Sequence, residues 1–238
     1  MTPAQSTCIA ANTRGFSLVE LAIVLVIVSL LAGGMMMTLG SQFDQRNLSD
    51  TRQQLQDARD ALLGFAVTHR ASADQLPYLP CADTNNDGVE DRNADGSCVS
   101  AEGNLPWATL ATAAQDAWGN RFRYRVAGSY SNSKNGFSLL TPAASLQVCD
   151  QAACTSLLAS LLPAVIVSHG KNGFGATNAA GGVNTAPSSV DEQQNSNGDN
   201  TFVSHTPTPP GANEFDDLVI WLSPNILYNR MIAAGRLP

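Results

Sequence analysis

The sequence predicts an α+β fold in which one long N-terminal helix packs on a small antiparallel β-sheet. Two observations predict the helix: an unbroken apolar run begins at Leu21, and a leucine then recurs every seven residues up to Leu62. A third predicts the sheet, because short segments rich in β-branched and aromatic residues follow Pro80, separated by turn residues. The 238 residues suffice for one such domain with an appendage.

The apolar run is long enough to span a bilayer as a helix, which needs about 20 residues. Glu20 stands at its start, and a carboxylate in such a helix needs a partner and usually marks a function. A secretory signal is cut after its apolar core, whereas here the small residue suited to cleavage, Gly15, precedes the run. Cleavage after Gly15 would therefore leave the helix on the mature protein, with a new amine on Phe16.

The stretch Gly15-Phe16-Ser17-Leu18-Val19-Glu20-Leu21 resembles the class III leader of type IV pilins, including minor pilins, and of the pseudopilins of type II secretion. The resemblance implies cleavage between Gly15 and Phe16 by a prepilin peptidase, N-methylation of Phe16, and assembly into a helical filament. It also implies that Glu20 pairs with the terminal amine of a neighbouring subunit, a buried contact that costs about 3–5 kcal/mol to break. The alternative is an uncleaved single-pass anchor.

This resemblance sets the expected organisation of the chain. Residues 1–15 form the leader, 16–39 a transmembrane or filament-core helix, 40–75 an amphipathic extension, and 76–238 a globular head. The expected partners are other pilin or pseudopilin subunits, the prepilin peptidase and an inner-membrane assembly platform. We expect one membrane crossing in the bacterial inner membrane with the head in the periplasm, followed by transfer to a periplasmic or surface filament.

The extension carries a helical stripe. Its members are Leu48, Thr51, Leu55, Ala58, Leu62 and Phe65. This spacing places them on one helical face, which we expect to pack against the head. The predicted helix runs from Ser17 to Ala71 and ends before Pro77.

Four cysteines lie beyond the apolar run, and four cysteines allow three connectivities. They are Cys81, Cys98, Cys149 and Cys154. The simplest pairing is local, Cys81–Cys98 and Cys149–Cys154, because each pair brackets a polar loop. The rival is a zinc site, which the absence of C-x-x-C disfavours. Disulfides would indicate an oxidising compartment such as the periplasm.

An acidic loop follows Cys81. Its pattern, D-x-N-x-D-G-x-x-D, places Asp83, Asn85, Asp87 and Asp91 at spacings typical of calcium loops, with glycine at the sharp turn. The EF-hand glutamate position is occupied by Ala94, so Asp91 would close a shorter loop. The pattern favours calcium, with a solvated Asn/Asp-Gly turn held by a disulfide as the alternative. We expect no other cofactor and none to be required.

A strand is predicted behind the turn at Gly119-Asn120, because Phe122, Tyr124 and Val126 alternate with arginines. The Asp116-x-Trp118-Gly119-Asn120 turn is similar to that of the major pseudopilin of type II secretion. The alternating row of Arg121, Arg123 and Arg125 is interpreted as a solvated face or as an interface to an acidic neighbour. A DNA-uptake surface is the alternative.

Further strands are predicted at Phe137–Thr141, at 164–168 and at the end of 214–222, with a long irregular segment over 175–213. Pseudopilins hold calcium in the loop before a comparable Asp-Asp…Trp strand, so the resemblance makes Asp216 and Asp217 candidates for a second calcium site. A C-terminal helix is predicted, capped by Ser223 and ended by Gly235, with Ile226, Leu227 and Met231 docked on the head.

The composition argues against nucleic-acid binding, because the net charge is −7 and such binding relies on lysine and arginine. The sequence contains no phosphate loop and no nucleophile elbow, and Ser168 and His169 are merely adjacent in sequence. We therefore expect this protein to have no enzymatic activity. The resemblance of the leader therefore implies a structural filament subunit, a pseudopilin or minor pilin. The alternatives are a ligand- or DNA-binding minor pilin at a filament tip, and a plain membrane-anchored periplasmic domain.

Overall fold

The computed structural model describes residues 17–238, and at residues 32–39 and 41 it describes the backbone alone. Two compact units follow one another along the chain, one ending at Arg46 and one spanning Asn47–Pro238. The predicted cleavage site, Gly15 and Phe16, lies outside the described residues. The architecture is α+β, with a long N-terminal helix and an antiparallel sheet, and it fits the pilin fold.

Helix α1 spans Leu18–Thr68. The Ser17 hydroxyl accepts a hydrogen bond of 3.2 Å from the N–H of Glu20, as a helix N-cap does, so the serine sets where the helix begins. Apolar side chains of the first unit, from Leu18 to Leu31, are exposed in the monomer. None of the helices in the described part of the chain combines the length and the apolarity that a membrane crossing requires.

In the second unit, α1 supplies one wall of the main core. Of the predicted stripe, Thr51, Leu55, Ala58, Leu62 and Phe65 are buried, which confirms the expected packing against the head. The helix ends three residues before the predicted Ala71. The N–H groups of Ser72 and Ala73 instead donate to the carbonyl oxygens of Ser133 and Lys134. The chain therefore leaves the helix and pairs with the turn that contains these two residues.

The principal sheet has four antiparallel strands in the order β1-β2-β5-β7. They are β1 (Glu102–Asn104), β2 (Arg123–Val126), β5 (Ala164–Ser168) and β7 (Leu218–Leu222). The alternation predicted around β2 is confirmed, because Phe122, Tyr124 and Val126 are buried in the core that contains the α1 stripe. Strand β5 is buried along its whole length, since Ile166 faces this core while Val165 and Val167 face a second one.

The second core is closed by a three-stranded sheet in the order β4-β3-β6, which the sequence analysis did not anticipate. Its strands are β3 (Leu146–Cys149), β4 (Leu157–Leu162) and β6 (Thr201–Val203), with β6 parallel to β3. The prediction of an irregular segment over 175–213 is therefore wrong in part. That segment contains β6 and a short helix, α4 (Val190–Gln194).

The strand predicted at Phe137–Thr141 is also wrong, because these residues form turns. The N–H of Ser138 donates to the Thr141 hydroxyl, and the N–H of Leu140 donates to the Ser138 hydroxyl. Such local side-chain bonds satisfy the backbone in place of a β-ladder. Leu140 is left 92% exposed as a result.

Three more helices lie within the described residues 17–238, namely α2 (Trp107–Leu110), α3 (Gly128–Ser131) and α5 (Pro224–Ala233). In α5, Leu227 and Met231 are buried as predicted, whereas Ile226 is 49% exposed. Ser223 occupies the N-cap position but makes no side-chain capping bond. Both local disulfides are present, Cys81–Cys98 and Cys149–Cys154, which confirms the simplest of the three pairings.

Candidate functional sites

The first candidate site is the start of α1, where Glu20 lies in the first helical turn with its side chain exposed. A carboxylate in the first turn is stabilised by the partial positive charge at a helix N-terminus. Ser17 fixes this turn through its bond to the Glu20 N–H. Within the first unit, the carboxylate is thus presented among exposed apolar side chains rather than buried in its own chain.

The second candidate site is a buried acidic cluster of Glu192, Asp216 and Asp217. Each contributes one carboxylate oxygen to a group whose members all lie within 4.8 Å of one another. Glu192 comes from α4, and the two aspartates come from the segment that leads into β7. Of the three, the sequence analysis named Asp216 and Asp217 but missed Glu192.

Within the described residues, each carboxylate of this acidic cluster accepts hydrogen bonds through only one of its two oxygens. Asn172 donates its N–H to Asp216 at 2.9 Å and its side-chain amide to Glu192 at 2.9 Å. Asn195 donates to Asp217 at 2.8 Å. A second oxygen on each, namely Glu192 Oε2, Asp216 Oδ1 and Asp217 Oδ1, is buried without a hydrogen-bond partner among the described residues.

Burial has a clear electrostatic effect on the acidic cluster. It raises the pKa of Glu192 to about 7, opposed by the Asn172 hydrogen bond and reinforced by the charge of Asp217. It likewise raises the pKa of Asp216 to about 6, opposed by the Asn172 N–H and reinforced by Asp217. Carboxylates that are buried this close together are costly to ionise unless a cation compensates them.

The backbone approaches the cluster closely at Gly170, just after β5. Its φ is +57°, and a Cβ at this position would lie 2.2 Å from Asp216 Oδ1 and 2.4 Å from the Asp216 carbonyl oxygen. Only glycine permits both the left-handed backbone and this approach. The neighbouring His169 is fully buried, with Nδ1 3.4 Å from Asp217 Oδ1. The turn after β5 therefore forms part of the cluster wall.

Oxygen-rich sites of this kind suit hard divalent cations, and calcium takes six to eight oxygen ligands from carboxylates, amides, carbonyls and water. Two of these oxygens, Glu192 Oε2 and Asp216 Oδ1, fit such an ion because they are buried acceptors without a hydrogen-bond partner among the described residues. Asp217 Oδ1 has only His169 Nδ1 nearby, at 3.4 Å. Glu192, Asp216 and Asp217 would hold it, and the ion would supply positive charge to a desolvated acidic centre.

The acidic loop at 83–91 is built differently. The buried carboxylate of Asp83 accepts the N–H groups of Asn85, Asn86 and Gly88 at 2.8–3.0 Å. Asp91 accepts both the N–H and the hydroxyl of Thr84. The loop aspartates, including Asp87, form no group within 4.8 Å of the kind seen at the acidic cluster.

Trp107 explains the glycine at the sharp turn of this loop. Gly88 has φ +84°, and a Cβ there would lie 2.4 Å from Trp107 Cε2. The loop therefore packs its backbone against the indole ring, which accounts for the glycine without an ion. Calcium binding at Asp83, Asn85, Asp87 and Asp91 stays a prediction.

The arginine row is neither a free solvated face nor a row of unpaired charges. Glu102 on β1 accepts hydrogen bonds from both Arg123 and Arg125. Arg121 donates to Asn86 at 2.8 Å, and its guanidinium lies 3.9 Å from the centre of the Trp107 ring. Most of the donors in this row are thus occupied within the fold.

A family model described as the prokaryotic N-terminal methylation motif matches residues 10–36. The chain carries a prepilin-type methylation motif. This finding agrees with a class III leader around Gly15, Phe16 and Glu20, and it points to a pilin-like structural subunit rather than an enzyme. No curated protein and no solved structure gave a significant match to the chain.

The adjacent residues Ser168 and His169 do not form a nucleophile–base pair. The Ser168 hydroxyl donates to Asp116 Oδ2 at 2.7 Å, and burial raises the pKa of Asp116. The other oxygen of Asp116 accepts the N–H groups of Trp118 and Asn120, so the Trp-Gly-Asn turn is tied to the end of β5. Ser168 has a structural role here.

Proposed function

We propose that this protein is a filament subunit, a pseudopilin or minor pilin, that is cut after Gly15 and N-methylated on Phe16. The observation that carries the proposal is the methylation motif over 10–36, which continues directly into α1. The proposal is further supported by the fit of the remaining chain to the pilin fold and by the position of Glu20 in the first turn of α1.

In this proposal the subunit waits in the inner membrane with its head in the periplasm, and an assembly platform then adds it to a type IV pilus-like or type II secretion filament. The exposed apolar surface from Leu18 to Leu31 would be covered by lipid before assembly and by neighbouring helices in the filament, so it would not face water in either state. Glu20 would pair with the amine of Phe16 of the next subunit, giving the buried carboxylate its partner.

The test is to express the full chain with and without a prepilin peptidase and to determine the intact mass and the N-terminal sequence. The expected product with the peptidase begins at a methylated Phe16. A protein that still begins with Met1 would refute the proposal.

Glu20→Gln tests the assembly step, with Asp57→Asn as a matched control, because Asp57 lies on the same helix. We expect Glu20→Gln to be processed normally but to lose filaments in a shearing assay, and Asp57→Asn to retain them. Normal assembly of Glu20→Gln would refute the pairing.

A second proposed role is cation binding at the acidic cluster, favoured by three buried carboxylate oxygens that accept no hydrogen bond from the described residues. The role is to neutralise the acidic cluster and lock α4 onto the start of β7. Calorimetric titration of the chelator-treated full chain with calcium should give one site. A titration with no saturable heat would refute it.

The nucleic-acid alternative has less support. Arg123 and Arg125 are paired with Glu102, and the chain carries a net charge of −7. A DNA-binding surface requires lysine and arginine free to reach phosphates.

A further inference from the structure

A polar cavity of about 760 Å³ lies in the head, over the arginine face of β2. Its walls come from the acidic loop, from β1 and β2, and from the segment near Thr177–Val183. Ligand-binding pockets are typically about 300–1,000 Å³, and most are lined by apolar side chains. This cavity has the usual size but a polar lining, which indicates a hydrophilic ligand.

The charges around this cavity do not cancel. Three guanidinium groups, those of Arg121, Arg123 and Arg125, face two carboxylates, Glu102 and Asp83. Glu102 is shared by Arg123 and Arg125, and Asp83 is bound to three N–H groups of its own loop. The lining thus carries one excess positive charge in a chain whose net charge is −7. Partial burial lowers the pKa of Arg121, as expected for a cation removed from water.

The lining also retains unused hydrogen-bonding groups. Among the described residues, Arg123 Nη1, the Asn104 side-chain amide and the Thr177 hydroxyl make no hydrogen bond, although all three residues line the cavity. The His169 ring borders the cavity but is fully buried, so a ligand would be recognised by the other groups of the lining.

We propose that this cavity binds a small hydroxylated monocarboxylate, the chemical class of a uronic acid. Its carboxylate would compensate the excess charge by accepting a charge-assisted hydrogen bond from Nη1 of Arg123, whose Nε and Nη2 already donate to Glu102 and Ser196. Its hydroxyl groups would bond to the Asn104 amide and the Thr177 hydroxyl, which act as donors or acceptors for such groups. This binding is independent of filament assembly.

The test is calorimetric titration of the purified full chain in detergent with sodium glucuronate, with glucose and sodium sulfate as comparison ligands. We expect saturable binding of glucuronate and at least about tenfold weaker binding of the other two, because each lacks one of the two recognised features. Ala180→Trp should abolish binding by filling the cavity, since Ala180 is an exposed residue of the lining.

Arg123→Gln should weaken glucuronate binding about tenfold or more through loss of a charge-assisted bond. Arg230→Gln is the matched control, because Arg230 lies on α5 and does not line this cavity. Thermal unfolding verifies that each variant is folded. If Arg123→Gln does not fold, the loss of glucuronate binding in Ala180→Trp decides the proposal. The proposal is overturned if glucuronate gives no saturable heat, if glucose or sulfate binds equally well, or if Ala180→Trp binds like the parent.

Discussion

The acidic loop at 83–91 and the acidic cluster of Glu192, Asp216 and Asp217 are rich in the same side chains but differ in what those side chains bind. In the loop, Asp83 accepts three backbone N–H groups, so its negative charge stabilises a turn. In the cluster, one oxygen on every carboxylate has no hydrogen-bond partner within the described chain, and only His169 Nδ1, 3.4 Å from Asp217 Oδ1, approaches one of them. A pattern of aspartates in the sequence therefore does not reveal which carboxylate oxygens are satisfied within the fold.

The largest effect should come from Asp83→Ala. Three N–H groups would lose their acceptor at a fully buried position, and hydrogen bonds to a charged group contribute about 1.5–3 kcal/mol each. We expect the free energy of unfolding to fall by at least about 3 kcal/mol in denaturant titrations.

The matched control is Asp87→Ala in the same loop, where the carboxylate accepts one N–H bond, from Val89. We expect Asp87→Ala to lower the free energy of unfolding by about 1.5 kcal/mol, the low end of the range for one hydrogen bond to a charged group, because this carboxylate is exposed. Equal losses for the two variants would show that Asp83 does not organise the loop.

The disulfides offer the next comparison, because each stabilises one of the two regions. Cys81–Cys98 closes the chain around the acidic loop with a separation of 17 residues, and Cys149–Cys154 spans 5. In the chain-entropy model, removing the first costs about 3 kcal/mol and removing the second about 1 kcal/mol less. Chemical unfolding of the two double Cys→Ser variants measures the difference, and a costlier loss of the shorter bridge would contradict the model.

Calcium should distinguish the acidic loop from the acidic cluster directly. A ligand present at a hundredfold excess over its Kd stabilises the native state by about 2.7 kcal/mol. We expect calcium to raise the unfolding midpoint of the parent and of Asp91→Asn, but not that of Glu192→Gln. The reverse pattern, in which Asp91→Asn alone removes the calcium effect, would place the ion in the acidic loop.

The smallest effect is the pH dependence of the acidic cluster without cation. Glu192 and Asp216 have pKa values raised to about 7 and about 6, so the folded state binds more protons than the unfolded state between about pH 4 and 7. Their contribution to stability is therefore present at low pH and is lost as the pH rises through this window.

Thermal unfolding from pH 4 to 8 in chelator measures this dependence. Glu192→Gln should flatten the curve relative to the parent, and calcium should flatten it as well, because the ion favours ionised carboxylates. A parent curve identical to that of Glu192→Gln would show that Glu192 titrates alike in both states.

Sequence reasoning identified the features with a local signature. The stripe that includes Leu55 and Leu62, the alternation around Tyr124 and the local disulfides each depend on neighbours in sequence, and the structure confirms them. The start of α1 at Leu18 likewise lies beside the predicted Ser17, whereas the capping bond of Ser17 was not predicted.

The acidic cluster could be predicted only in part, because its third carboxylate comes from α4. A signal for that helix was present in Ser189-Val190-Asp191-Glu192, which matches the S-x-x-E capping pattern. The Glu192 side chain does not cap α4, however, and instead accepts the amide of Asn172, 20 residues earlier. Such a contact depends on how β5 and β7 bring their loops together, which no local pattern encodes.

The Cys149–Cys154 loop has a consequence for the order in which the head matures. The N–H of Ala152, inside that loop, donates to Asp191 Oδ1 at 2.7 Å, one residue before Glu192. Oxidation of the thiols thus fixes the contact that positions the short helix bearing the third carboxylate. Under the proposed export and cation binding, a subunit still in a reducing compartment would lack this constraint, and ion capture would follow oxidation of the thiols.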